Sequence, residues 1–253
     1  MDSLETELER ARELDVDEMA DAIETIGFEC TRCGGCCKAV ETDEGAEEHT
    51  ATVFPDEVRR LQETGDYDWR DVARPMPFGL TEGEDGPAGE TFEWALQTDG
   101  CGDCVFYEEH GEDSGAEPGE EDERAAGPGT CTVHDDRPLI CRTYPFSVAL
   151  GGTSQPMGEA VDSAGPEIPR ADGTAAGGSV DSAGLVRAHE CEGLGRDISR
   201  EEAEELAATL KERAVRELEE AIAVREAYRP VDADGVVVHD SEGPKRPDGS
   251  PYE

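Results

Sequence analysis

The feature that most constrains this chain is a run of four cysteines within eight residues, Cys30, Cys33, Cys36 and Cys37. Thiols at this density rarely serve a hydrophobic core. The spacing C-x-x-C-x-x-C offers three thiolates from one short loop, as in iron–sulfur loops and zinc modules. Glycines 34 and 35 suit such a loop, because it needs positive φ angles and backbone amides that point at sulfur. The sequence therefore predicts a metal-binding loop here.

The adjacent pair Cys36 and Cys37 poses a geometric problem. Neighbouring side chains diverge by about 100° on a helix and about 180° on a strand, so both rarely reach one mononuclear ion. Either a polynuclear cluster or two nearby sites would use both thiols. Thiolate is a soft ligand, which favours zinc, copper(I) or iron–sulfur centres over magnesium or calcium.

The cysteine count favours a metal over a disulfide framework. The chain has nine cysteines, an odd number, and two of them are adjacent. Its first residues are acidic and lack the apolar segment of a signal peptide, and no run approaches the about 18 apolar residues of a membrane span. We therefore expect a cytoplasmic protein, whose thiols stay reduced, with no membrane partner.

The charge is strongly acidic: 63 acidic and 22 basic residues give a net charge of −41. Because the acids are spread along the whole chain, this excess is typical of a halophilic protein, whose self-repulsion molar salt would screen. No basic stripe is present to bind phosphates, so a nucleic-acid partner is disfavoured. The hydrophobic content of 36% predicts a modest core, and metal ligation would offset that deficit.

Apolar periodicity predicts helices at both ends of the chain. Residues 1–27 form a helical segment, one broken helix or two short ones, which ends at Gly27. Residues 196–229 contain a long helix with a capping box of Ser199 and Glu202, expected to pack on the core of its own chain. Pro230 would end it, and residues 230–253 are predicted to be a flexible tail.

Residues 28–195 between these helices carry short strand patterns. Thr52–Val53–Phe54 is predicted to be a short strand before a helix that opens at Pro55, and Phe92, Trp94 and Leu96 alternate as one face of another strand. Residues 104–107 would return beside that strand. Residues 108–129 and 151–184 have compositions of exposed loop insertions.

The later cysteines complete a pattern that resembles a known family. The matching pieces are residues 28–37, Cys104-Val105-Phe106-Tyr107, the segment from Cys131 to Phe146, and Cys-x-Gly-x-Gly at Cys191. In this order they resemble the YkgJ-type cysteine-cluster proteins, the CxxCxxCC family described as zinc- or iron-chelating. The resemblance implies eight metal ligands: Cys30, Cys33, Cys36, Cys37, Cys104, Cys131, Cys141 and Cys191.

Four residues near this pattern are assigned less directly. Cys101 lies outside it and is expected to be a small buried thiol, with a ninth ligand as the alternative. His134 is expected to be a polar loop residue first and a ligand second. Arg137 and Arg142 could compensate thiolate charge or pair with carboxylates, and the sequence favours neither role.

The sequence thus predicts a small, irregular α+β domain organised by metal, with flanking N- and C-terminal helices. The first functional hypothesis is an iron–sulfur protein for electron transfer, redox sensing or assembly. The second is a zinc-binding interaction module without catalysis, and a protein partner is left open. The third, by analogy with flagellin lysine methylases that share the cysteine domain, is a methyltransferase-like enzyme.

Overall fold

The computed structural model describes residues 3–42, 45–83, 86–110, 129–156, 160–167 and 184–252. The α-helices of these residues are α1 (Leu4–Glu13), α2 (Val16–Ile26), α3 (Pro55–Thr64), α4 (Trp69–Val72), α5 (Leu139–Thr143) and α6 (Arg200–Ala227). Short 3-10 turns cover Gly35–Cys37 and His134–Asp136.

The strands of the same residues are short. They are β1 (Val40–Thr42), β2 (Gly45–Glu47), β3 (Thr52–Val53), β4 (Ala73–Pro75), β5 (Leu80–Gly83), β6 (Gly86–Thr91), β7 (Trp94–Leu96), β8 (Tyr107–Glu109), β9 (Gly129–Cys131), β10 (Phe146–Val148), β11 (Ala160–Glu167), β12 (Gly184–His189), β13 (Val236–Asp240) and β14 (Gly243–Lys245). They pair in the orders β1-β2, β10-β12-β11, β14-β13-β6-β5, β3-β7-β4 and β8-β9. The predicted α+β class, with helices in the N- and C-terminal regions, is confirmed.

The chain divides into two compact units, and the boundaries differ from the predicted ones. The first unit joins Met1–Glu29 to Leu139–Glu226, and the second joins Cys30–Pro138 to Ala227–Glu253. The predicted cysteine domain, 28–195, is therefore divided between the two units. Sequence order hides this division because each unit is built from segments far apart in the chain.

The first unit begins with two capped helices. The Ser3 hydroxyl accepts a hydrogen bond from the Thr6 amide at the start of α1, and the Asp15 carboxylate accepts from two amides at the start of α2. Gly27, with φ of 76°, follows α2 and ends it. These caps confirm the predicted pair of short helices and its stop.

The core of the first unit lies between these helices, α6 and the sheet β10-β12-β11. α2 packs against β11 and β12. The buried apolar side chains are Leu8, Ala11, Met19, Ala20, Ala22, Ile23, Ile26, Phe146, Val148, Leu150, Leu185, Val186, Ala188, Ala203, Ala207, Leu210, Ala214 and Leu218. The inclusion of the α6 stripe confirms that this helix packs on the core of its own chain.

The cap of α6 is the predicted capping box. The Ser199 amide donates to Glu202 Oε2 at 3.1 Å, and the Glu202 amide donates to Ser199 Oγ at 3.3 Å. Strand β11 is a correction in the same unit, because it lies within residues 151–184, which were expected to be a loop. Residues 157–159 and 168–183 of that segment lie outside the described residues.

The second unit is built on small sheets around buried aromatic and aliphatic side chains. Trp94 and Leu96 lie on β7, as predicted, and are buried, but Phe92 precedes the strand and is about half exposed (48%). Strand β3 and the helix that opens at Pro55 are confirmed. Most of the predicted insertion 108–129, residues 111–128, lies outside the described residues, between β8 and β9.

The C-terminal segment corrects the prediction of a flexible tail. Strand β13 pairs in parallel with β6, with Val236 opposite Gly89, and β14 pairs beside it. The Asp240 carboxylate accepts from Trp94 Nε1 at 3.0 Å and lies 3.0 Å from Lys245 Nζ. Residues 236–245 are therefore part of the core of the second unit.

The second unit also buries His49, which makes its stability depend on pH. Burial, and then the positive charge of Arg74, lower the pKa of His49 from 6.5 to about 4. The unfolded chain binds this proton at higher pH than the folded chain does. Stability should therefore fall as the pH falls from about 6.5 to about 4, by up to about 3 kcal/mol.

Urea unfolding at pH 7 and pH 4.5 measures this effect when the protein is compared with His49→Gln, which cannot titrate. We expect the variant to lose less stability than the parent over this range. His134→Gln is the matched control, because it makes the same substitution at a histidine whose side chain is 41% exposed. Equal pH profiles for the parent and His49→Gln would contradict the prediction.

Candidate metal centre

The four-cysteine loop bends sharply just before its adjacent pair. Arg32 and Gly34 both have positive φ angles, 56° and 77°. The following 3-10 turn, Gly35–Cys37, is closed by the Cys37 amide donating to the Gly34 carbonyl at 2.8 Å. The predicted positive φ is therefore present at Gly34 but not at Gly35.

The turn brings the two adjacent thiols together. Sγ of Cys36 lies 3.7 Å from Sγ of Cys37. Two thiolates at about 2.3 Å from one tetrahedral ion are about 3.8 Å apart by simple trigonometry. The expectation that these neighbours diverge is thus not met, because the tight turn folds both side chains to one side.

A second segment reaches this turn through a backbone hydrogen bond. The Cys104 amide donates to the Cys37 carbonyl at 2.7 Å. An isolated bridge between Thr98 and Cys104, with the Val105 amide donating to the Gln97 carbonyl at 3.1 Å, holds Cys104 beside the end of β7. The predicted return of residues 104–107 beside that strand is therefore confirmed only at its first residues. Cys104 is buried.

The third segment is strand β9, which ends at Cys131. Its partner strand β8 begins at Tyr107, directly opposite Cys131. The Tyr107 amide donates to the Cys104 carbonyl at 3.0 Å. Cys131 is therefore connected to Cys104 through Tyr107, and through Cys104 to the four-cysteine loop.

Proximity and burial change the acidity of these thiols. The hydrogen-bonded Cys37 thiol raises the pKa of Cys36 far above its usual range, and the nearby Cys33 contributes in the same direction. Burial raises the pKa of Cys104 to about 12 and also raises the pKa of Cys131. Without a cation Cys36, Cys104 and Cys131 stay protonated at neutral pH, so metal binding to them must release protons.

Arg137 is the cation that faces this group of thiols. Its positive charge lowers the pKa of both Cys36 and Cys131, against the larger effects that raise them. Its Nε donates to the His134 carbonyl at 2.8 Å, which fixes the guanidinium at the end of the second 3-10 turn. Arg142 lies in the first unit, where Nη2 is 3.5 Å from Thr209 Oγ1.

The remaining predicted ligands are Cys30, Cys141 and Cys191. Cys30 is exposed in the second unit. Cys141 on α5 and Cys191 after β12 are half-buried in the first unit, where the Gly193 amide donates to Cys191 Sγ at 3.5 Å. Their role as metal ligands stays a prediction, which rests on the C-x-x-C-x-x-C spacing for Cys30 and on the family resemblance for Cys141 and Cys191.

The structure also places Cys101 and His134, which were considered as alternative ligands. Cys101 is exposed, so the expectation of a small buried thiol is wrong. His134 lies in the 3-10 turn, with Nδ1 at 3.2 Å from Asp135 Oδ1. Sequence reasoning gave Tyr107 no role at the site, although its place three residues after Cys104 was a visible signal.

The thiols share a region but do not form a finished coordination shell. Over the described ranges, no group of three or more His, Cys, Asp or Glu side chains is arranged to hold a metal ion. The donor chemistry nevertheless fits a soft metal, because the side chains that meet here are thiols with one compensating arginine. The thiol side chains would have to rotate to form a complete coordination shell.

These features define a class of protein: a cysteine-rich α+β chain in which thiols from separate segments meet. The model of the CxxCxxCC family, described as a proposed zinc- or iron-chelating domain, matches residues 29–166, more than half of the chain. The chain therefore belongs to this family, which supports metal binding. The matched range contains every predicted ligand except Cys191. Comparisons with curated proteins and with solved structures gave no significant match.

The helices differ from membrane-spanning segments in length and apolar content. Within the part of the chain that the structure describes, none combines the two well enough to cross a membrane.

Proposed function

We propose that the second unit holds an iron–sulfur cluster and serves electron transfer, redox sensing or cluster assembly in the cytoplasm. The observation that carries this proposal is the convergence of three segments: the Cys104 amide bonds to the Cys37 carbonyl, and Cys131 is paired with Tyr107. These contacts bring the Cys104 and Cys131 thiols near Cys36, which also lies near Cys33 and Cys37. Five thiols in one region exceed the four that a mononuclear zinc site uses.

The spacing of Cys36 and Cys37 suggests the type of cluster. Both [2Fe–2S] and [4Fe–4S] clusters take four cysteines, so each iron carries two thiolates in the former and one in the latter. A sulfur separation of 3.7 Å suits two thiolates on one metal. It therefore favours a [2Fe–2S] centre if both residues are ligands.

Arg137 would contribute charge compensation in this proposal. Several thiolates in a half-buried region repel one another, and a fixed guanidinium offsets part of that repulsion. The effect of Arg137 on Cys36 and Cys131 supports this role over pairing with surface carboxylates.

Metal and sulfide analysis of protein made without oxygen, in high salt, tests the proposal. We expect brown protein that contains about two iron and about two sulfide per chain. Colourless protein with stoichiometric zinc and no sulfide would overturn it. The second candidate, a zinc-binding interaction module, would then stand, since one tetrahedral zinc fits the Cys36–Cys37 sulfur separation equally well.

A further inference from the structure

Tyr107 has a buried hydroxyl that lacks a hydrogen-bond partner among the described residues. A buried phenol normally finds a hydrogen-bond partner, because burying its hydroxyl without one destabilises the protein. The ring itself is held in place, with Lys38 Nζ at 5.5 Å from its centroid. The hydroxyl therefore needs a hydrogen-bond acceptor that the contacts of the described residues do not supply.

The hydroxyl is enclosed by glycines from two of the cysteine-bearing segments. A Cβ at Gly34 would lie 2.1 Å from the Tyr107 hydroxyl oxygen, and a Cβ at Gly129 would lie 2.3 Å from it. Gly34 follows Cys33 directly, and Gly129 lies on β9 two residues before Cys131. Both positions therefore require glycine because the phenol occupies the space of a side chain.

Thiol sulfurs of the four-cysteine loop are acceptors of suitable chemistry for this hydroxyl. Gly34, whose Cβ position the Tyr107 hydroxyl occupies, lies between Cys33 and the turn that carries Cys37. Burial, then the charges of Lys38 and Glu109, and then those of Cys37 and Cys33 act on the pKa of the phenol. A protonated thiol is a weak acceptor, whereas a metal-bound thiolate is a much stronger one. Metal binding would thus create the partner that the hydroxyl lacks.

We propose that Tyr107 is a positioning residue of the metal centre, whose hydroxyl donates a hydrogen bond to the metal-bound sulfur of Cys37 or Cys33. This inference rests on the metal site in the second unit but not on the metal's being iron. The bond withdraws charge from the sulfur, holds the four-cysteine loop against β8, and makes the reduction potential of a bound cluster more positive.

Cobalt(II) is the probe, because cobalt–thiolate complexes show charge-transfer bands whose energy reports the charge on sulfur. Tyr107→Phe keeps the ring between the two glycines and removes the donor. We expect the band to move to lower energy and the cobalt affinity to fall about 10–100-fold. Tyr67→Phe is the matched control, a surface tyrosine of the same unit (37% exposed), and should leave band and affinity unchanged.

A second variant keeps the hydroxyl and strengthens it as a donor. Tyr107→3-fluorotyrosine should move the band to higher energy, in the opposite direction to Tyr107→Phe, which a merely structural role would not do. The 3-fluorotyrosine variant tests the hydrogen bond to sulfur even if Tyr107→Phe fails to fold. An unchanged band in both variants overturns the inference and leaves the metal site intact. A parent protein without any thiolate band overturns the metal site, and the inference with it.

Discussion

Cys104→Ser should lose most of its bound metal and, with it, much of the stability of the second unit. Cys104 is buried, and its amide holds the loop of Cys36 and Cys37 through the Cys37 carbonyl. Structural thiolate sites bind zinc with about 10–16 kcal/mol, so one of four ligands contributes about 3 kcal/mol, or about 100-fold in affinity. Metal content after desalting and urea unfolding measure both losses.

The chain offers a closely matched control three residues away. Cys101 is exposed, and its amide is held by Asp99 Oδ1 at 2.8 Å through the backbone. Cys101→Ser should therefore keep the metal and the stability of the parent protein. If Cys101→Ser and Cys104→Ser lost equal amounts of metal, the pair Cys101-x-x-Cys104 would act together and the assignment of Cys104 alone would fail.

Local patterns were sufficient for the helices near the two ends of the chain. The caps at Ser3 and Asp15, the stop at Gly27, and the capping box of Ser199 with Glu202 are all encoded within a few residues. Each acts by satisfying amides at a helix end or by a backbone angle that glycine tolerates. Such features can be read from sequence because both partners lie in the same short window.

The C-terminal strands could not be predicted in this way. Val236 and its neighbours form a short apolar run between glycine- and proline-containing segments. Their parallel pairing with β6 joins residues about 150 positions apart. A parallel pair leaves no turn signal between its strands. The charged network of Asp240 and Lys245 is also invisible until the Trp94 ring is placed beside it.

The candidate site was predictable in composition but not in arrangement. The spacing of Cys30 to Cys37 indicates thiol ligation, and the resemblance adds Cys104 and Cys131. The convergence of the Cys36 and Cys37 sulfurs depends on a 3-10 turn that helix and strand geometry do not suggest. The position of Tyr107 after Cys104 was a signal in the sequence, but the enclosure of its hydroxyl by Gly34 and Gly129 required the structure.

Arg213→Met should destabilise the first unit by about 3–5 kcal/mol, since it leaves a buried carboxylate without its partner. Arg213 is 2% exposed, and its Nε donates to Glu217 Oε1 at 2.8 Å. Its other nitrogens donate to Thr143 Oγ1 at 3.0 Å, to the Phe146 carbonyl at 3.1 Å and to the Ser154 carbonyl at 2.6 Å. This side chain thus joins α6 to the strand β10 and to the segment that follows it.

The double variant Arg213→Met with Glu217→Met separates the cost of an unpaired charge from the value of the pair. Replacing both partners by apolar side chains removes the buried charge, so the double variant should recover much of the loss, although Ser154 loses a bond from its amide to Glu217 Oε2 of 3.0 Å. Urea unfolding at constant salt, followed by far-ultraviolet circular dichroism, gives the three free energies. A double variant as unstable as the single one would show that the Thr143 and Phe146 contacts dominate.

Arg200→Met is the control that turns this comparison into a test of burial. Arg200 contacts more carboxylates than Arg213 does, but its side chain is 38% exposed; its partners are Asp17, Asp21, Glu24 and Glu204. Exposed pairs contribute about 0–1 kcal/mol each at low salt and less in molar salt. Arg200→Met should therefore cost much less than Arg213→Met, and the difference should widen as salt is added, because the buried pair is screened far less. Equal losses at high salt would mean that the number of ion pairs, and not their burial, determines stability in this protein.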